Sequence, residues 1–162
     1  MHSLRPSKRD KRVQGTSYGR DSQELLPCNS SIEGAALPIL LIDDDTASCF
    51  LLSLALASHG WEVITATTVQ EAEAASRRIG PEGIGLVIVD VHLSNNLCAW
   101  KGFELYTRWT AAHSTLPFLL MSGDPRCKTL STVCNGSVGF LYKPFDLWHL
   151  FETVEVHLRQ RS

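Results

Sequence analysis

Five short apolar runs, each closing on a polar or turn-forming residue, punctuate the chain, and segments of helical periodicity lie between them. The first, LPILLIDDD from Leu37 to Asp45, passes abruptly from branched apolar residues into Asp43, Asp44 and Asp45. WEVITA (Trp61 to Ala66), IGLVIVD (Ile84 to Asp90), PFLLMSG (Pro117 to Gly123) and GFLYKPF (Gly139 to Phe145) follow. Unbroken runs of about four to eight such residues, as in the first and third, predict strands buried on both faces, which belong mostly to parallel sheets, whereas WEVITA alternates and predicts a second strand. Thr46 is placed to cap a helix through ASCFLLSLALASHG that stops at Gly60, and TVQEAEAASRR predicts a second helix ending near Gly80. FELYTRWTAAH predicts a third, and residues 125–135 a weaker, shorter fourth. Leu147, Leu150, Phe151, Val154 and Leu158, spaced i, i+3, i+4, i+7 and i+11, predict an amphipathic fifth. Strands alternating with helices throughout predict an α/β fold, a doubly wound five-stranded parallel sheet with five helices and right-handed crossovers.

The first helix departs from a single stripe. Phe50, Leu51, Leu52, Leu54 and Leu56 surround it, so either it is deeply buried or one apolar face is left for a partner. Residues 1–36 have few large apolar side chains and cannot offset their ordering entropy, which predicts a flexible tail before a domain over residues 37–162. Six of the 15 Lys and Arg residues fall within residues 1–20, against one acid, so the remainder of this chain of net charge −2 is acidic. That balance excludes a broad basic footprint for nucleic acid on the folded part. The five cysteines, Cys28, Cys49, Cys98, Cys127 and Cys134, form no C-x-x-C pair, which predicts free thiols in a reducing compartment. With neither a signal-like apolar segment nor a bilayer-length run, the expected location is the cytoplasm, without membrane attachment.

The candidate chemistry sits at the strand ends. Asp43 and Asp44 follow the first strand, Asp90 ends the third, Ser122 the fourth and Lys143 the fifth. Open α/β sheets bind ligands along that edge. Clustered carboxylates resist desolvation, and such a cluster suggests a hard cation such as Mg2+; the alternative is a solvated Asp-rich turn that caps the next helix. A carboxylate can also be a nucleophile, while a hydroxyl and an ammonium can bind phosphoryl oxygens. Together these groups suit phosphoryl transfer to an aspartate.

With LLIDDD, LVIVD, LLMSG and YKPF in this order, the chain resembles the response-regulator receiver domains of two-component signalling over about residues 37–160. The resemblance implies a flavodoxin-like receiver fold, with Asp90 as phosphoacceptor and Asp43 and Asp44 as a Mg2+-binding pair. It makes the main-chain carbonyl of His92 a further metal ligand and Ser122 and Lys143 the contacts to the phosphoryl oxygens. Phe140 falls at the position of the rotating aromatic switch residue. The implied donor is a histidine kinase or histidine phosphotransfer protein. The chain would catalyse only its own phosphorylation and dephosphorylation, and would signal through contacts with a downstream protein. Oriented by the resemblance, Phe50 and Leu54 share the side of the first helix that docks on the donor's helical bundle. Packing of that pair inside the domain or in a homodimer is the alternative.

Two features depart from the family's pattern. Ser94 stands where a Pro is usual, and Gly102 lies twelve residues after Asp90, about four later than usual. Phe140 also lacks the hydroxyl of the commoner Tyr. No output domain follows the last helix, which predicts a stand-alone receiver without direct DNA binding. A competing reading takes the D-x-D of LLIDDDTA as that of a haloacid-dehalogenase-type phosphatase, with Asp43 as nucleophile and Asp45 as acid-base residue. The later acidic pair which that family needs is missing. A receiver-like binding module that is never phosphorylated is the remaining alternative.

Overall fold

Every residue of β1, Ile39–Ile42, is fully buried, which a strand achieves only when both faces of its sheet are covered. In a computed structural model of the protein, described for residues 37–93, 100–130 and 138–159, that covering comes from helices on either side. The sheet adds β2 (Val63–Ala66), β3 (Leu86–Asp90), β4 (Phe118–Ser122) and β5 (Val138–Tyr142) in the order β2-β1-β3-β4-β5, all parallel. Strand side chains alternate between the faces. Leu40, Ile42, Val87, Val89, Phe118 and Leu120 pack with Ala72 and Ala75 of α2 (Val69–Ile79) and with Leu105 and Trp109 of α3 (Lys101–Ala112). Ile39, Leu41, Leu86, Ile88, Leu119 and Met121 pack with Cys49, Leu52 and Leu56 of α1 (Thr46–Ser58) and with Leu150 and Val154 of α4 (Leu147–Arg159).

The helix starts follow from local side-chain chemistry. Asp45, not Thr46, caps α1: its carboxylate accepts from the backbone N–H groups of Ala47 and Ser48, and Thr46 is the first helical residue. A carboxylate serves better there because it also meets the positive end of the helix dipole. Thr68 caps α2 by accepting from the Glu71 N–H, and Asp146 accepts from the His149 N–H at the start of α4. Gly60, at φ +98°, ends α1 in a conformation that a side chain would strain.

The expected flexible segment 1–36 and Ser94 lie outside the described residues. Of the expected helix over 125–135, the described part opens as a 3-10 turn, Pro125–Thr129, and residues 131–137 lie outside the description. Among the described residues no helix is long and apolar enough to cross a membrane. The order β2-β1-β3 sends the connections after β1 and β3 to opposite faces of the sheet. The crevice this opens at their C-terminal ends is the usual ligand position in such sheets.

Candidate functional site

Three strand ends bring one ammonium between two carboxylates at this crevice. Lys143 Nζ donates to Asp43 Oδ2 at 2.9 Å and to Asp90 Oδ2 at 2.5 Å. Asp43 is almost fully buried and Asp90 nearly so, so these contacts are poorly screened, and removing the ammonium would strand two buried carboxylates. Backbone donors hold the other oxygens: the Asp45 N–H meets Asp43 Oδ1 at 3.0 Å and the His92 N–H meets Asp90 Oδ1 at 2.8 Å. Burial works to lower the Lys143 pKa, but the Asp90 and Asp43 carboxylates outweigh it and the net displacement is upward. Lys143 is therefore a fixed cation.

Asp44 stands beside this triad without sharing its compensation. Desolvation, followed by the charges of Asp43 and Asp90, pushes its carboxyl above the ordinary range. Three carboxylates against one ammonium leave a surplus of negative charge in a partly dry crevice. Their donors are all oxygens, so the set fits a hard divalent cation. An open cleft of about 580 Å³, lined by Asp44, Thr46, Thr67, Lys101 and Glu104 among others, gives access to Asp44 from solvent. Asp45 is not part of the cluster, since its carboxylate caps α1, so an acid-base role with Asp43 as nucleophile has no geometric support.

Ser122 ends β4 fully buried; its backbone C=O accepts from the Lys143 N–H at 2.9 Å, which ties the two strand ends together. Its hydroxyl accepts from the Asp124 N–H and donates to Cys127 Sγ at 3.4 Å. Phe140 is partly buried on β5 against the cluster that holds Cys127 and Leu130, with its ring 4.6 Å from that of Tyr142. Phe50 and Leu54 are 65% and 58% exposed, and Leu51 beside them is 64% exposed. The pair does not pack inside the described domain.

Other features escaped the sequence. The displaced Gly102 sits in the first turn of α3 directly on the end of β3: a Cβ there would lie 1.8 Å from the Asp90 carbonyl oxygen, and its N–H donates to the Val91 carbonyl. The extra length before it falls in residues 91–100, of which 94–99 lie outside the described residues. Side chains of His92, Asp124 and Cys127 also converge behind Ser122. A lone histidine and a lone cysteine 35 positions apart gave no sequence signal for this.

Comparison with known proteins assigns the class. The model of the response regulator receiver domain matches residues 39–155. FixJ, a transcriptional regulatory protein of Bradyrhizobium diazoefficiens, is 32% identical over 123 residues, which span 75% of this chain and 57% of that protein. TrcR, a transcriptional regulatory protein of Mycobacterium tuberculosis, is 28% identical over 138 residues, 85% of this chain and 51% of its own length. The chain thus spans about half the length of these curated relatives. Among solved structures, the receiver domain of NtrX from Brucella abortus superposes with a TM-score of 0.64 at 29% identity, covering 75% of this chain and 98% of that one. The chain belongs to the response regulator receiver domain family and is a signalling domain of two-component systems.

Proposed function

We propose that the domain accepts a phosphoryl group on Asp90 from the phosphohistidine of a histidine kinase or histidine phosphotransfer protein, and passes the signal on through protein contacts. The observation that carries this is the Lys143 ammonium held between Asp43 and Asp90, with the Ser122 hydroxyl on the neighbouring strand end. An Asp90 oxygen attacks phosphorus, the P–N bond of the donor breaks, and the departing imidazole takes a proton from solvent. Lys143, already positioned by two carboxylates, exchanges Asp90 Oδ2 for an oxygen of the incoming group. Ser122 donates to a second such oxygen. Asp43, Asp44, Asp90 and the His92 carbonyl are the proposed ligands of Mg2+, which when bound offsets charge on carboxylate and phosphoryl oxygens.

Incubation with a small phosphodonor tests this reading. Hydroxylamine-labile mass labelling of one site, lost on adding a chelator and restored by Mg2+, is the expected result. Labelling that is indifferent to chelation would remove the metal from the reaction, and none at all with Mg2+ present would favour a binding module that is never phosphorylated.

Signal output is proposed to pass through β5. A phosphoryl oxygen that draws Ser122 inward opens volume beside Phe140, whose ring can repack without a phenol hydrogen bond. With a phosphoryl mimic bound, backbone chemical shifts should move along β5 and the start of α4. Shifts confined to the Asp90 loop would show that Phe140 is no switch.

Input is proposed to pass through α1. Phe50 and Leu54 lie four residues apart on one helix side, and their exposure leaves them available as apolar anchors for the donor's helical bundle. Phe50→Ala combined with Leu54→Ala should slow transfer from the phosphohistidine protein about tenfold or more, the effect of losing at least one anchor contact. Labelling by the small donor and the thermal midpoint should be nearly unchanged. An equal loss in both reactions would assign the pair to folding or to a homodimer.

A further inference from the structure

We propose that His92, Asp124 and Cys127 form a binding site for a borderline divalent transition metal, Zn2+ foremost, beside the carboxylate crevice and distinct from it. One ligand atom from each lies within 4.8 Å of the others. His92 Nε2 is 3.3 Å from Asp124 Oδ2 and 3.8 Å from Cys127 Sγ. Tetrahedral zinc ligands at ordinary bond lengths stand about 3.3 to 3.6 Å apart, so two of the three separations need only a few tenths of an ångström of adjustment. Nitrogen, oxygen and sulfur together suit zinc, whereas Mg2+ and Ca2+ take oxygen donors.

Burial holds the imidazole with Nε2 toward the other two groups. His92 is about nine-tenths buried at the side chain, yet its Nδ1 is the buried side-chain polar atom left without a hydrogen-bond partner among the described residues. Nε2 is the ring nitrogen turned toward Asp124 and Cys127 and is the one a cation would take, whereas Nδ1 points away from the cluster and is not part of the proposed site. Asp124 is already an anion: hydrogen bonds and charge from Arg126 hold its carboxyl down to about 2. The exposed Arg126 guanidinium lies mainly on Oδ2, 2.8 Å from Nε and 2.6 Å from Nη2, so a cation there requires it to swing out to solvent while the Arg126 backbone N–H keeps Oδ1. Burial keeps the Cys127 thiol protonated, and binding breaks its S–H bond and releases the proton to solvent. Thiolate, carboxylate and neutral imidazole then balance the dipositive ion, with water completing four-coordination.

This site meets the phosphoryl crevice at two atoms, the His92 N–H on Asp90 Oδ1 and the Ser122 hydroxyl on Cys127 Sγ. Its existence does not depend on phosphorylation. Co2+ added to the reduced, metal-stripped protein tests it, with the thiolate-to-cobalt charge-transfer band as readout. One equivalent should develop the band together with tetrahedral d–d absorption. Zn2+ should abolish both, and excess Mg2+ should leave them. Cys127→Ser should lose the charge-transfer band, and Asp124→Asn, which keeps the size and shape of the side chain, should weaken Co2+ binding at least about tenfold. Asp90→Asn should keep the band, which separates this site from the carboxylate crevice. A wild-type spectrum without a thiolate band, a band that survives Cys127→Ser, or unchanged affinity in a folded Asp124→Asn would each overturn the proposal.

Discussion

Asp90→Asn is expected to bring labelling by a small phosphodonor down to background while the domain stays folded. The amide is nearly the same size as the carboxylate and can still accept the His92 N–H at Oδ1, so the end of β3 keeps its local geometry. What disappears is the negative charge, and with it the nucleophile, since an amide oxygen attacks phosphorus poorly. Lys143 loses one of its two carboxylate partners but keeps Asp43, so no buried charge is stranded. Asp44→Asn should also abolish labelling, through the metal and not the nucleophile. High Mg2+ should therefore rescue Asp44→Asn in part and leave Asp90→Asn silent. Intact labelling of Asp90→Asn, mapped to another residue by mass spectrometry, would overturn the phosphoacceptor assignment.

Gly102→Ala is expected to be among the most destabilising single methyl additions in the domain. The new Cβ would fall 1.8 Å from the Asp90 carbonyl oxygen, 2.8 Å from its carbonyl carbon and 3.1 Å from Val89 Cγ2. Two of these are backbone atoms of a central strand, which cannot swing aside as a side-chain tip would. Either α3 lifts from the sheet, uncovering Leu105 and Trp109, or the end of β3 shifts and takes Asp90 with it. Overpacking of this kind costs about 1 to 3 kcal/mol, and backbone opposition puts it at the upper end or beyond. The urea midpoint, read by circular dichroism, should fall accordingly with little change in slope. Gly123→Ala is the control: its Cβ would meet nothing nearer than 3.7 Å, so its midpoint should barely move. Equal midpoints for the two variants would mean that the approach of α3 to Asp90 is looser than described.

The strand cores and the order of the polar residues that end them were legible in the chain alone. An unbroken apolar run such as Ile84–Val89 has few alternatives to a doubly covered parallel strand, because its side chains must leave water on both faces. Once five such strands are parallel, Asp43, Asp44, Asp90, Ser122 and Lys143 fall on one edge whatever the loops do. Local capping was less legible, because Asp45 and Thr46 are both competent caps and the choice rests on where the first helical dihedral falls.

Tertiary structure decided the rest. Which side of α1 is exposed could not be read from a helix apolar all round; packing against β1 and α4 buried Cys49, Leu52 and Leu56 and left Phe50, Leu51 and Leu54 outside. Gly102 could be seen to be late in the chain, but its contact with the Asp90 carbonyl depends on how closely α3 approaches the sheet. The grouping of His92, Asp124 and Cys127 needed the pairing of β3 with β4 and the turn at Pro125, which set side by side residues separated by more than 30 positions. Periodicity reports which way a side chain faces along its own element, whereas contacts between loops from different strands exist only once the sheet has been ordered.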